Sequence, residues 1–410
     1  MLQVDPILNP YTPNAGAQPP AVLGRDVQLK TFDLLLRRMS AGRTEQSMII
    51  TGLRGVGKTV LLGRFRSKAH ELDWVVVERE VSKHDDVHFR RQMVSAIRTS
   101  LFEMSPKARW GDRMQRAAAV LKSFSISVDP TGTLTGGIDI DAAQGFADQQ
   151  ELQADLTDLL VAVGEAAKDA NKGLVLLFDE VQFLSTAQLE ALISALHKTV
   201  QRGLPVTMVG AGLPQIAELA GDAKSYSERL FKFPRIGNLD DKDARAALVE
   251  PAQVEGADYS DEALDLAVEV TGGYPYFLQE LGYAVWGVAD GPRITREDIA
   301  LAVPTYEAKL DESFFRVRLD RATEMERIYL RAMAELGPEA QKAQDVAAVI
   351  GRKSTQMGPT RAQLINMGLL YTPEHGYAAF TVPHFDKFLL RAIPELIMPP
   401  ERSKRSRKSD

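Results

Sequence analysis

The octapeptide Gly52-Leu53-Arg54-Gly55-Val56-Gly57-Lys58-Thr59 constrains the fold more than any other stretch of the 410 residues. Its spacing is G-x-x-x-x-G-K-S/T, and it joins a short apolar run at 46–51 to a helical pattern at 58–72. Glycines at these places let the backbone curl so that successive N–H groups point inward, and the helix that follows adds its positive dipole end. The pattern predicts a P-loop that binds ATP. Lys58 is expected on the β and γ phosphates and the Thr59 hydroxyl on Mg²⁺, with residues 52–59 and Val60 around the nucleotide.

A magnesium-dependent nucleotide hydrolase also needs a carboxylate at the tip of an apolar strand and a base for the attacking water. The run LVLLFDE at 174–180 offers both: Asp179 for the metal side and Glu180 as general base. Strand and helix patterns alternate around these motifs. Helices are expected at 25–39, 58–72, from 84 to about 121, at 152–170 and at 185–202, and strands at 74–81, 173–178 and 206–209. This is the order of an α/β fold, a P-loop NTPase αβα core with a parallel sheet. At 123–140 two β-patterned runs flank Asp129-Pro130-Thr131-Gly132, which predicts a β-hairpin insertion.

From 240 onward helical patterns dominate, at 240–250, 260–270, 276–288 and 295 to about 334. The later order of helix (326–336), short helix (345–350), turn at Gly351, helix (359–367) and hairpin through 373–376 predicts a winged helix-turn-helix. The expected division is an irregular arm at 1–21, a core at 22–238, a helical lid with connecting helix at 239–322, a winged helix at 323–396 and a basic tail at 397–410. Ala347, Ile350, Ala362, Ile365 and Leu369 are the expected small core of the winged helix. That leaves Arg352, Lys353, Gln356, Thr360 and Arg361 to face duplex DNA, with His375 on the wing.

Composition narrows the alternatives. With 45% hydrophobic residues and 25% charged ones the chain is an ordinary globular one. No apolar run reaches the roughly 18 residues of a membrane span, and 1–20 shows no basic leader, so a cytoplasmic location without membrane contact is expected. Zero cysteines exclude disulfides, thiolate metal sites and cysteine nucleophiles. His84 and His88 form a His-x-x-x-His pair, but no glutamate follows His84, so the zincin pattern fails. The net charge of −6 argues against coating nucleic acid by bulk charge, yet the part from Thr323 carries +3, leaving −9 elsewhere. The tail at 401–410 contributes to that excess.

Together with Gly24-Arg25-Asp26 and Gly273-Tyr274-Pro275, these motifs make the chain resemble AAA+-like ATPases over roughly 22–390. The resemblance lies between the origin-recognition type with a C-terminal winged helix and the STAND signalling ATPases. It implies a slow Mg²⁺-dependent ATPase that binds ATP and ADP and assembles with itself or another protein. It also implies that Val22, Leu23 and Arg25 run past the adenine, that Pro275 reports the nucleotide to the lid, and that Arg229 reaches a γ-phosphate, often a neighbour's. Two departures stand out. The fourth strand lacks a polar sensor at its end, unless Thr207 serves, and no sensor arginine stands beside Gly273-Tyr274-Pro275. Two functions follow: a nucleotide switch that controls DNA binding through the winged helix, or a signalling or defence ATPase whose winged helix binds protein.

Overall fold

The computed structural model describes residues 5–14, 16–19, 22–83 and 85–397, so His84 and the tail from 398 lie outside the described residues. It divides into two compact units, Met1–Ala302 and Val303–Asp410.

In the first unit the chain runs through α1 (Asp26–Ser40), β1 (Ser47–Thr51), α2 (Lys58–Glu71), β2 (Val75–Glu80), α3 (Asp86–Met104), α4 (Asp112–Ile126) and α5 (Leu152–Asp169). It continues through β3 (Leu174–Asp179), α6 (Thr186–Gln201), β4 (Val206–Gly212), α7 (Ile216–Ala223), α8 (Ser227–Leu230) and β5 (Phe231–Lys232). The five strands form one parallel sheet in the order β2-β3-β4-β1-β5. β1 and β4 are buried along their whole length and β3 in all but its last residue, as strands covered by helices on both faces must be. With the glycine loop following central strand β1, this is the P-loop NTPase fold.

The register aligns Thr51 with Gly212 and Glu80 with Asp179, so the ends of β1, β3 and β4 share one edge of the sheet. That carboxyl edge is where ligands bind in open α/β sheets. α6 starts as its sequence suggests: Ser185 caps the Gln188 N–H and the Gln188 side chain returns to the Ser185 N–H.

The hairpin expected at 123–140 is absent. Residues 123–126 finish α4, because Ala117, Leu121 and Phe124 continue one apolar helical face into the core. The turn signal itself is real: the Asp129 carboxylate accepts from the Thr131 hydroxyl and the Leu134 N–H. No strand follows it, and the chain reaches α5 through turns.

Beyond the sheet come α9 (Asp241–Val254), β6 (Asp258–Tyr259), α10 (Asp261–Thr271), α11 (Pro275–Trp286), β7 (Arg293–Ile294) and α12 (Arg296–Lys309). β6 and β7 pair in parallel, a connection too short to show in the sequence. The N-terminal arm is irregular, apart from one 3₁₀ turn, but docked. Tyr11 is buried; its hydroxyl donates to the Leu248 carbonyl at 2.6 Å and lies 2.7 Å from the Tyr259 hydroxyl.

The second unit contains a π-helical turn at Leu310–Arg316, α13 (Val317–Leu319), α14 (Glu324–Leu336), β8 (Gln341–Lys342), α15 (Ala343–Val349) and α16 (Ser354–Asn366). β9 (Leu370–Tyr371), β10 (Tyr377–Phe380) and α17 (Phe385–Ala392) follow. Helix does not run unbroken to 334: a turn intervenes before α14, where Thr323 N–H donates to the Glu326 carboxylate. β10 pairs with β9 and also with β8, giving three antiparallel strands rather than a lone hairpin. α16 begins at Ser354, five residues before Pro359, because the Gln356 side chain satisfies the Lys353 N–H and organises the first turn. Ala362 is exposed and Ile365 only half-buried; Met357 and Leu364 face the core instead, beside the expected Ala347, Ile350 and Leu369.

Candidate functional site

At the carboxyl edge of the sheet the glycine loop closes on α2. Gly57, at φ +91, is the N-cap of α2, a left-handed turn that side-chain-bearing residues rarely adopt. Val56 is buried, which pins the loop to the core. Lys58 is only 7% exposed, and its Nζ donates to the carbonyls of Gly52 (3.0 Å) and Leu53 (2.8 Å). Burial pushes its pKa down to about 8, against the pull of Glu180 and Asp179. Leu53 and Val60 are half-buried beside it.

The Thr59 hydroxyl donates to Asp179 Oδ2 at 2.5 Å, which joins the P-loop to the tip of β3. Burial raises the Asp179 pKa, and the bonds from Thr59 and from the Glu180 N–H (2.8 Å) work the other way. Such a half-buried carboxylate at a strand tip suits a divalent cation held by few protein groups. The donor set therefore fits magnesium between Thr59, Asp179 and phosphate oxygens. Among the described residues no cluster of three or more His, Asp or Glu side chains forms a fully protein-made cage.

Glu180 follows directly, with a left-handed backbone (φ +55) that turns its side chain off the strand axis. Its two oxygens are separately held: Arg54 Nη1 lies 3.4 Å from Oε1, and Gln182 Nε2 donates to Oε2. The Gln182 Oε1 accepts from the Leu213 N–H, just past the end of β4, at 3.0 Å. Gln182 therefore ties the acidic pair to β4. The sequence reading missed it; the signal is one amide side chain in the turn Val181–Phe183 immediately after the acidic pair. Thr207, considered as a polar sensor, sits at the opposite end of β4, where its hydroxyl pairs with Ser47 at 3.0 Å.

Arg25 is buried, and its guanidinium donates to the carbonyls of Gly24, Val56 and Gly237 (2.7–3.0 Å). It thus bolts the P-loop backbone to the segment leading into α9. Val22 and Leu23 are half-buried just ahead of it. Pro275 occupies the first turn of α11, where its missing N–H is harmless. The lid reaches the P-loop through its neighbours: the Tyr274 hydroxyl donates to the Arg54 carbonyl and the Tyr276 N–H to the Gly55 carbonyl (3.2 Å). Gly55, at φ +84, allows this approach, since a Cβ there would stand 3.1 Å from both tyrosines.

Arg229 is not brought to this site. It lies in α8, exposed, two residues before Phe231, which the parallel register sets beside Ser47 at the start of β1. Its carbonyl accepts from Gln46 at 3.0 Å, at the edge of the sheet opposite the P-loop.

In the second unit, Lys353 and Gln356 are exposed at the start of α16, and Arg352 and Thr360 are half-buried. Arg361 does not share their face; with Ser354, Met357 and Gly358 it lines a cavity bounded by His375 and Tyr377.

Residues 21–209 match the AAA ATPase domain family, in agreement with the resemblance read from the motifs. Residues 312–389 match a domain of unknown function (DUF8462). No curated protein sequence matches the chain. Among solved structures it is similar to the Aeropyrum pernix Orc1 protein in complex with DNA, at 14% identity and a TM-score of 0.46 over 93% of this chain and 95% of that one. Similarity to Cdc6p from Pyrobaculum aerophilum has the same identity and TM-score over 95% and 98% of the two chains. The Thermotoga maritima RuvB Holliday junction branch migration motor matches at 16% identity and a TM-score of 0.44 over 87% and 92%.

Proposed function

We propose that this chain is a magnesium-dependent ATPase switch whose nucleotide state is passed through its lid to a DNA-binding winged helix. The observation that carries the reading is the Thr59–Asp179 hydrogen bond of 2.5 Å beside buried Lys58. A hydroxyl, a carboxylate and an ammonium side by side support a triphosphate site on the P-loop. Magnesium bound there would draw charge from the phosphate oxygens and fix their positions.

The protein's own groups divide the remaining work. Lys58 exchanges the carbonyls of Gly52 and Leu53 for phosphate oxygens, and its charge is then stabilised by them. Glu180, at the end of β3 and oriented by Gln182 and Arg54, accepts the proton of the attacking water. Tyr274 and Tyr276 transmit the loop's state, because any shift of the Arg54 or Gly55 carbonyl reaches α11 directly. Arg229 faces away from its own P-loop, so its route to a γ-phosphate is that of a second copy across an assembly interface.

For the second unit, the order α14, β8, α15, α16 and the β9–β10 hairpin supports the winged-helix reading. α16 carries no carboxylate, and Arg352 and Lys353 stand at its start, a polarity suited to phosphate contacts. The lid's bonds to the P-loop favour a second reading, a STAND-like switch held closed by its nucleotide, in which the winged helix binds protein.

ATP turnover with and without magnesium in wild type and Asp179→Asn tests the first unit; equal rates in the two proteins refute the site. Binding of labelled duplex DNA across a salt series with ATP or ADP tests the second. Loss of affinity in Lys353→Ala supports the DNA reading, and no binding at physiological salt transfers the winged helix to a protein partner.

A further inference from the structure

A polar cavity lies inside the second unit. It has a volume of about 410 Å³, within the range of small-molecule sites. Three cationic or protonatable side chains converge on it from three elements: Lys342 from β8, Arg361 from α16 and His375 from the turn before β10. No carboxylate is among its lining residues. Tyr377 and Met357 supply apolar wall, and the Lys342 ammonium stands 5.9 Å from the Tyr377 ring centroid.

Behind the cavity wall lies Tyr329, sealed from solvent, its hydroxyl without a hydrogen-bond partner among the described residues. Burial raises its pKa, opposed by the nearby Arg361 charge, so it remains a neutral donor at physiological pH. Converging positive charge without acidic compensation is a phosphate-binding arrangement, and Arg361 offers a planar fork for two phosphate oxygens.

We propose that this cavity binds a small phosphate monoester, with its phosphate between Lys342, Arg361 and His375 and its organic part against Tyr377 and Met357. The concavity favours a small ligand over a DNA backbone phosphate, since a duplex presents a convex surface that would rest on the rim. The site is independent of the P-loop and stands whether or not α16 binds DNA.

The test is calorimetric titration of the full chain, presaturated with ADP and Mg²⁺, with inorganic phosphate and with adenosine monophosphate. Wild type should bind the monophosphate more tightly than inorganic phosphate, and Arg361→Gln should weaken it at least tenfold. His375→Gln keeps an exposed polar side chain on the turn and should weaken binding several-fold without lowering Tm. Affinity unchanged in both variants, or no binding of either probe at millimolar concentration, overturns the proposal. So does a result in which Arg361→Gln reduces only affinity for duplex DNA, since the cavity would then serve the nucleic-acid backbone.

Discussion

Replacing Lys58 with methionine keeps the length of the side chain and removes its charge. Burial lowers this ammonium's pKa from the ordinary 10.5 to about 8. At about 1.4 kcal/mol per unit, carrying the charge here at neutral pH costs the fold roughly 3 kcal/mol. The bonds from Nζ to the Gly52 and Leu53 carbonyls offset part of this. Lys58→Met should therefore be at least as stable as wild type near pH 7 in the absence of nucleotide, while losing nucleotide affinity. Because the lysine pKa is depressed, the unfolded chain binds the extra proton between pH 8 and 10.5. The penalty is thus complete below pH 8, and wild type gains on the variant as pH rises through that window. Between pH 7.5 and 9.5 the stability difference should close by about 2 kcal/mol, roughly 4 °C in Tm. Phosphate oxygens restore the charge, so ATP binding should take up about 0.7 proton at pH 8.5 but only about 0.1 at pH 7. Scanning calorimetry of both proteins across pH, and titration in buffers of different ionisation heat, measure the two effects. A pH-independent difference together with no proton uptake at pH 8.5 would refute the argument.

Other predictions follow from the same geometry. Glu180→Gln should keep ATP bound while turnover falls by about 10²-fold or more; unchanged turnover removes Glu180 as the base. Gln182→Leu frees one Glu180 oxygen and the Leu213 N–H, so kcat should fall about tenfold with ATP affinity within about twofold; an affinity loss alone would make Gln182 structural. Gly55→Ala puts a Cβ 3.1 Å from Tyr274 and Tyr276 at φ +84, and should cost about 1–2 kcal/mol in thermal unfolding. Arg90→Met would strand the buried Asp155 carboxylate, now 2.8 Å from the guanidinium, and cost about 3–5 kcal/mol by denaturant titration.

How much of this was readable beforehand differs from element to element. The P-loop, the β3 tip and helix α6 were legible because each is local: glycine spacing, an apolar run ending in two acids, and an apolar helical period act within a few residues. The stretch at 123–140 misled because alternating Ser, Phe and Ile satisfies a strand pattern and also extends the helical face of Ala117, Leu121 and Phe124. Burial of that face against the core selects the helix. β6, β7 and β8, of two residues each, have no pattern of their own and form only because partners distant in sequence meet them.

The sequence by itself determined that a phosphate loop precedes a helix and that Asp179 and Glu180 end a central strand, since backbone curl and strand burial are properties of short segments. Only the tertiary structure decided the rest. The parallel register put Asp179 beside Thr59 and carried Arg229 and Thr207 to the far edge. Helix phase turned Arg361 into a cavity, and close packing of α11 brought Tyr274 and Tyr276 onto the loop. Those outcomes depend on distances between segments far apart in the chain, which burial and hydrogen bonding settle only when all of them are in place.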